Sequence, residues 1–120
     1  MPEFVPTWTA NTKDPMICAY LECAEWTETG DGQNASGRKW SVCAVTQAEE
    51  TCRIFRQIAG PRLDGWSATQ VGRDLWLSRN RHGAGYQDRK FPHAEALAEL
   101  ARSFGERSVW IGSHGTAHFD

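Results

Sequence analysis

Apolar residues recur at helical spacing in three separate segments of this sequence, and that periodicity limits the fold more than any other feature. Each predicted helix also carries a boundary signal: Asp14-Pro15 begins the first, the capping-box run TQAE at residues 46–49 begins the second, and Gly60-Pro61 ends it. The third runs from Pro92 to a stop at Gly105. The residues that form the apolar face of each predicted helix are, in chain order, Ile17, Tyr20, Leu21 and Ala24, then Ala48, Cys52, Phe55 and Ala59, and finally Leu97, Leu100, Ala101 and Phe104.

Two other segments alternate like strands. Residues 74–79 (DLWLSR) place Leu75 and Leu77 on one face, and residues 107–119 suggest a hairpin that turns at Ser113-His114-Gly115. Together these elements predict an α+β fold in which three helices pack on a small antiparallel sheet of about three to four short strands. A chain of 120 residues fits a single domain over residues 1–120.

Charge is distributed unevenly, although the formal net charge is only −2. Residues 14–34 hold five acids and no Lys or Arg, whereas residues 53–90 hold eight bases against three acids. Such asymmetry predicts either two differently charged faces or two segments that pair with each other. Direct nucleic-acid binding is not expected as the main activity, because no overall positive field attracts a polyanion.

The N-terminal run MPEFVPTW has no apolar stretch of the kind found in signal peptides, and no window approaches a membrane span. We therefore expect a cytoplasmic protein whose four cysteines are reduced. Their spacing contains no Cys-x-x-Cys pair, and His114 and His118 lie in predicted strands, where an i, i+4 pair is too widely separated to chelate one ion. We expect no metal and no cofactor.

The most distinctive segment is LWLSRNRHGAGYQDR, residues 75–89, which we call the 75–89 motif. His82 could act as a general base oriented by Asp74 or Asp88, although no serine has the surroundings of a nucleophile. Its glycines and arginines could instead hold a phosphate or a nucleic acid. Arg, Trp and Tyr also favour protein recognition. A purely structural interpretation remains open, in which Arg79 and Arg89 pair with acids inside the fold.

The 75–89 motif resembles one found in a set of small bacteriophage and prophage proteins, in which a strand with Arg-Asn leads into a His-Gly-Ala-Gly turn, an aromatic pair and Asp-Arg. Residues 19–28 and 96–112 resemble their N-terminal helix and their closing helix and strand. Three positions depart from the pattern: Arg81 and Lys90 stand where glycine is usual, and Tyr86-Gln87 replaces the aromatic pair. The matching residues are Arg79, Asn80, His82, Gly83, Ala84, Gly85, Asp88 and Arg89.

The resemblance implies an origin in a mobile element and supplies no activity. By analogy with other small proteins of such elements, we expect a non-enzymatic inhibitor in the bacterial cytoplasm. Its partner would be a host defence protein, as for an anti-CRISPR protein that blocks a Cas effector subunit or nuclease. The alternative is an enzyme or a nucleotide- or nucleic-acid-binding protein centred on the turn of Asn80, His82, Gly83 and Gly85. The predicted partner-binding residues are Arg79, Arg81, His82, Tyr86, Arg89, Lys90, Glu22, Glu25, Glu28 and Asp31.

Overall fold

The structure, a computed structural model, describes residues 14–29, 39–81, 84–111 and 116–119. Four α-helices lie within these ranges: α1 (Pro15–Thr29), α2 (Val42–Ala59), α3 (Ala68–Arg79) and α4 (Ala94–Arg102). Two short 3-10 turns, Gly60–Leu63 and Tyr86–Asp88, follow α2 and α3. Three short strands complete the described fold: β1 (Lys39–Trp40), β2 (Val109–Ile111) and β3 (Thr116–Phe119).

Helix α1 begins where the sequence predicts. Asp14 Oδ1 accepts a hydrogen bond from the Met16 amide at 2.9 Å, and Pro15 occupies the first helical position. Both carboxylate oxygens of Asp14 also accept from the Arg56 guanidinium, at 2.8 and 2.9 Å, which ties the start of α1 to α2. Burial by itself would raise the pKa of Asp14, but the hydrogen bonds from Arg56 and the Met16 amide outweigh that effect and lower it.

Helix α2 begins earlier than predicted. Ser41 caps it by accepting from the Ala44 amide at 3.0 Å, whereas the Thr46 hydroxyl lies inside the helix and donates to the Val42 carbonyl. The capping-box prediction at residues 46–49 is therefore wrong, because Ser41 provides a cap one turn upstream. The helix does end at Gly60, whose positive φ of 52° suits a residue without a side chain.

Helix α3 is the principal correction to the predicted fold, because residues 74–79 are helical and not a strand. Leu75 and Trp76 are both fully buried although they point in different directions, since α1 and α4 pack against α3 and Phe119 of β3 contacts Trp76. The polar residues Asp74, Ser78 and Arg79 are buried as well, so the sequence does not show a clear polar face at helical spacing over these six residues. Gly72 lets α1 approach closely: a Cβ atom there would lie 2.0 Å from the Met16 carbonyl oxygen.

The sheet is smaller than predicted, and the fold is mainly helical. Strands β2 and β3 form an antiparallel hairpin that pairs Val109 with Phe119 and Ile111 with Ala117. The two residues of β1 add only a short parallel pairing to β3. The prediction of three helices on an antiparallel sheet of three to four strands is thus wrong, since the predicted strand at residues 74–79 became a fourth helix. The predicted hairpin turn, Ser113 to Gly115, lies outside the described residues.

Candidate functional site

The 75–89 motif covers the second half of α3 and the turn that follows it. His82 and Gly83 lie outside the described residues, so the predicted role of His82 stays a prediction. Gly85 has a φ of 133°, which suits a residue without a side chain, and a Cβ atom there would lie 2.3 Å from Ser78 Oγ. That hydroxyl accepts a hydrogen bond from the Tyr86 amide at 3.1 Å. Gly85 therefore allows the chain after the turn to pack directly against α3.

Arg79 is the last residue of α3 and is only 5% exposed. Its Nε donates to the Gly105 carbonyl at 2.7 Å, and its Nη2 donates to the Phe104 carbonyl at 2.9 Å. These carbonyls follow the C-terminal end of α4, where a cation is stabilised by the helix dipole. The remaining nitrogen, Nη1, donates to the Tyr20 hydroxyl at 2.8 Å. Arg79 thus joins α1, α3 and the end of α4.

Arg89 binds Asp74, which is the internal pairing that the structural interpretation predicted. Its Nε and Nη2 donate to the two carboxylate oxygens of Asp74 at 2.9 and 2.8 Å. Asp74 is fully buried and also accepts from Gln70 at 2.8 Å. The hydrogen bond to Asp74 raises the pKa of Arg89. The guanidinium and carboxylate form a planar, two-bond contact that neutralises both charges within the fold.

Tyr86 and Asn80 also use their polar atoms inside the fold. Tyr86 is fully buried and donates its hydroxyl proton to the Val71 carbonyl at 2.6 Å, and burial together with the charge of Asp74 raises its pKa. Asn80 donates to the Trp76 carbonyl at 3.0 Å and accepts from the Arg107 amide at 2.7 Å. Neither side chain is presented to a partner, so an interface that contains them would require the turn to open.

The other predicted partner-binding residues differ in exposure. Arg81 lies at the surface with its Nε 3.8 Å from Glu106, and Lys90 is also exposed. On the acidic side, Glu22 points to solvent from α1, whereas Glu25 is fully buried. Glu28 lies in the last turn of α1, but its side chain is outside the described set, and Asp31 lies outside the described residues. The predicted acidic surface is therefore represented by Glu22 among the described side chains.

The enzyme hypothesis requires Asn80, Asp88 and Arg79 to converge with His82 on one pocket. Arg79 faces Tyr20 and the end of α4, Asn80 contacts its own helix and Arg107, and Asp88 is exposed. These three described side chains point to different parts of the fold, and the enzyme hypothesis stays a prediction.

Arg79 instead lines a different cavity of about 200 Å³, which we call the arginine cavity. The sequence offered no signal for it, because its residues come from α1, α2, α3, the segment after α4 and β3. Burial raises the pKa of Tyr20 to about 12, even though the positive charges of Arg79 and Arg107 oppose the shift. The lining consists of Tyr20, Gln47, Glu50, Thr51, Arg79, Arg107 and Phe119.

Two of the cysteines, Cys23 and Cys52, are not activated as nucleophiles. Burial raises the pKa of Cys23 and of Cys52 to about 12, so both thiols stay protonated at neutral pH. Within the described ranges, no group of three or more His, Cys, Asp or Glu residues is placed to hold a metal ion.

Among the described residues, no helix combines the length and the apolar character needed to cross a membrane. No protein-family model, curated protein or solved structure matches the chain. The resemblance of the 75–89 motif to phage and prophage proteins therefore stays a prediction.

Proposed function

We propose that this protein is a non-enzymatic inhibitor from a mobile element that binds a protein of a bacterial defence complex through the outer face of α1. The observation that carries the proposal is Trp26, a large aromatic side chain that is 57% exposed on that face. Exposed Glu22 lies one helical turn before it, so the two side chains are neighbours on the helix surface.

The position of Trp26 contrasts with the rest of α1. The inner face of the helix contains Tyr20, Leu21 and Ala24, all of which are buried in the core. An exposed tryptophan keeps one of the largest apolar side chains in water, so the fold does not gain the stabilisation that its burial would provide. Tryptophan is also among the residues most enriched where truncation weakens protein–protein binding. Trp26 is thus the most favourable anchor on this helix for a partner.

Charge indicates which kind of partner surface the helix would fit. Residues 14–34 contain five acids and no Lys or Arg; of the described ones, Asp14 is paired with Arg56, Glu25 is buried, and Glu22 is exposed beside Trp26. A basic groove that normally holds nucleic acid would attract this segment and would repel a basic one. The arginines of the 75–89 motif support the interface less well, because Arg79 and Arg89 are bonded inside the fold. We therefore assign the partner a basic, nucleic-acid-binding surface, such as that of a Cas effector subunit.

The direct test is phage plating on bacteria whose CRISPR system targets the phage. Expression of the native chain is expected to restore plaque formation, whereas the Trp26→Ala variant is expected to lose most of this effect. Trp110→Ala is the matched control, because Trp110 is 51% exposed on β2 and lies outside α1. Equal loss with both variants would refute the α1 interface. Unchanged plating with the native chain, across hosts with active defence systems of different types, would refute the inhibitor proposal.

Binding of the purified chain to the affected defence complex gives a second measurement. Removing a hot-spot tryptophan typically costs at least about 2 kcal/mol, which corresponds to a roughly thirtyfold weaker Kd. Reversing the charge of Glu22 to Lys should mainly slow association and should do so more at low salt. A salt-independent Kd that is the same for Glu22→Lys and native protein would contradict the basic partner surface.

A further inference from the structure

We propose that the arginine cavity is a binding site for a small phosphate-class oxyanion, either free phosphate or the phosphoryl group of a small metabolite. The inference does not rest on the proposed function, because its residues lie apart from Trp26 and need no partner protein. It rests on a buried cation that has no carboxylate partner among the described residues, on the donors that surround it, and on the size of the cavity.

The buried cation is Arg79. Its three hydrogen-bond partners are the carbonyl oxygens of Phe104 and Gly105 and the hydroxyl of Tyr20, all of which are neutral. No carboxylate in residues 14–29, 39–81, 84–111 or 116–119 forms an ion pair with it. A buried charge is costly unless an opposite charge compensates it. An anionic ligand would supply that compensation.

Arg79 and Tyr20 both keep donor capacity for such a ligand. A guanidinium has five N–H groups, and the bonds above use one each on Nε, Nη1 and Nη2. Tyr20 Oη accepts from Arg79, so its own proton must point elsewhere, and no acceptor for it lies in the part of the chain that the structure describes. Tyr20 is nearly fully buried and protonated at neutral pH, so it is a donor fixed in place at the cavity.

The rest of the cavity lining favours an anion over a cation. Arg107 adds a second positive charge, while Gln47 and Thr51 add an amide and a hydroxyl from adjacent turns of α2. Glu50 is the carboxylate in the described lining, and it is ion-paired with Arg53. The described lining thus contains two guanidinium groups and one carboxylate, and that carboxylate forms its ion pair with Arg53 outside the lining. Planar guanidinium groups match the paired oxygens of phosphate and carboxylate groups.

The size of the cavity limits the ligand. Its volume of about 200 Å³ exceeds the roughly 30 Å³ of one water molecule but lies below the roughly 300 Å³ at which sites for drug-sized molecules begin. A phosphate ion with a few waters, or a phosphoryl group on a short carbon chain, fits this range. A complete nucleotide would have to leave its base outside the cavity.

Isothermal titration calorimetry of the full chain with inorganic phosphate tests the site, at constant ionic strength maintained with chloride. Saturable binding of one phosphate per chain is expected, in the millimolar range or tighter. A parallel titration with glycerol 3-phosphate distinguishes the two sources: tighter binding of the ester indicates a phosphorylated metabolite, and tighter binding of phosphate indicates the free ion. Absence of saturable heat with both probes would overturn the proposal.

Matched variants locate the binding. Tyr20→Phe and Tyr86→Phe each remove one hydroxyl from a buried tyrosine, but Tyr86 lies outside the cavity lining. Likewise, Arg107→Gln removes a lining arginine, and Arg62→Gln removes an exposed one elsewhere. Tyr20→Phe and Arg107→Gln are each expected to raise the Kd about tenfold, as loss of a hydrogen bond to a charged group usually does. Equal effects of the test and control variants would refute the site.

Discussion

Arg79 and Arg89 lie on either side of the same turn, yet their guanidinium groups have different kinds of hydrogen-bond partner. Arg89 is partly exposed and forms a two-bond ion pair with the fully buried carboxylate of Asp74. Arg79 is almost completely buried and is bonded to three neutral oxygens from two different parts of the chain, α1 and the segment after α4. The more exposed arginine thus has the stronger electrostatic partner.

From this contrast we expect Arg89 to contribute mainly to the stability of the fold and Arg79 mainly to the binding of an anion. The Arg89–Asp74 pair is self-contained, so removing either partner leaves an isolated charge in the fold. Arg79 carries a positive charge that the described part of the chain does not cancel with a carboxylate. A bound anion would supply the compensating charge. We therefore expect the arginine that is less buried to matter more for folding.

Replacing Arg89 with methionine should have the largest effect. The variant leaves the buried Asp74 carboxylate without its cation, which should lower the free energy of unfolding by about 3–5 kcal/mol. Urea unfolding followed by circular dichroism measures the change. The double variant Arg89→Met, Asp74→Leu removes both charges and should recover much of the loss. A double variant as unstable as Arg89→Met alone would show that packing, not the stranded charge, sets the cost.

Gly85→Ala should have the next largest effect, because it disturbs the turn that holds both arginines in place. Alanine would have to adopt the φ of 133° that Gly85 has, which strains a residue with a side chain. Its Cβ would also displace Ser78 Oγ from the Tyr86 amide. Backbone strain and a buried N–H without an acceptor together should cost about 3 kcal/mol.

Gly105→Ala is the matched control for this turn. Gly105 also has a positive φ, of 84°, but a Cβ there would meet nothing within 4 Å. It should therefore show only the strain, which is about 1–2 kcal/mol. The same loss of unfolding free energy in both variants would exclude the contact with Ser78 as a cause.

Arg79→Met should cost less than Arg89→Met, at about 1 kcal/mol. The substitution breaks three hydrogen bonds, but it leaves only neutral oxygens without a donor, and it removes a buried charge that has no carboxylate partner among the described residues. Unfolding must be measured in phosphate-free buffer, since a bound ligand adds to the stability of the native protein. A loss as large as that of Arg89→Met would contradict the comparison.

The Asp14–Arg56 pair at the surface should contribute least, and its contribution should depend on pH. Because the pKa of Asp14 is lowered in the fold, the pair stabilises the protein fully above the unfolded value of 3.8 and loses that effect as the pH falls through the folded pKa. Asp14→Asn keeps a capping side chain but cannot ionise. It should cost about 0.5 kcal/mol at neutral pH and nearly nothing at about pH 2. A difference that stays constant across this range would rule out the ion pair as its source.

Local signals made several elements predictable from the sequence. Asp14-Pro15 specifies the start of α1 and Gly60 the end of α2, because each acts through its own backbone conformation or a bond to a residue two positions away. The hairpin strands β2 and β3 were predictable from alternation. Helix α3 was not predictable, because the consecutive residues Asp74, Leu75 and Trp76 are all buried. Apolar residues therefore do not recur there at the spacing of a helix with one buried face.

The sequence by itself determined where α1 begins, where α2 ends and which residues carry charge. Only the tertiary structure decided which charges meet. Arg89 reaches Asp74 across 15 positions, and Arg79 reaches Tyr20 across 59. The same residue type therefore becomes half of an internal ion pair at one position and the wall of a candidate anion site at the other. The physical reason is that burial and charge pairing depend on distances in space, which local sequence does not encode.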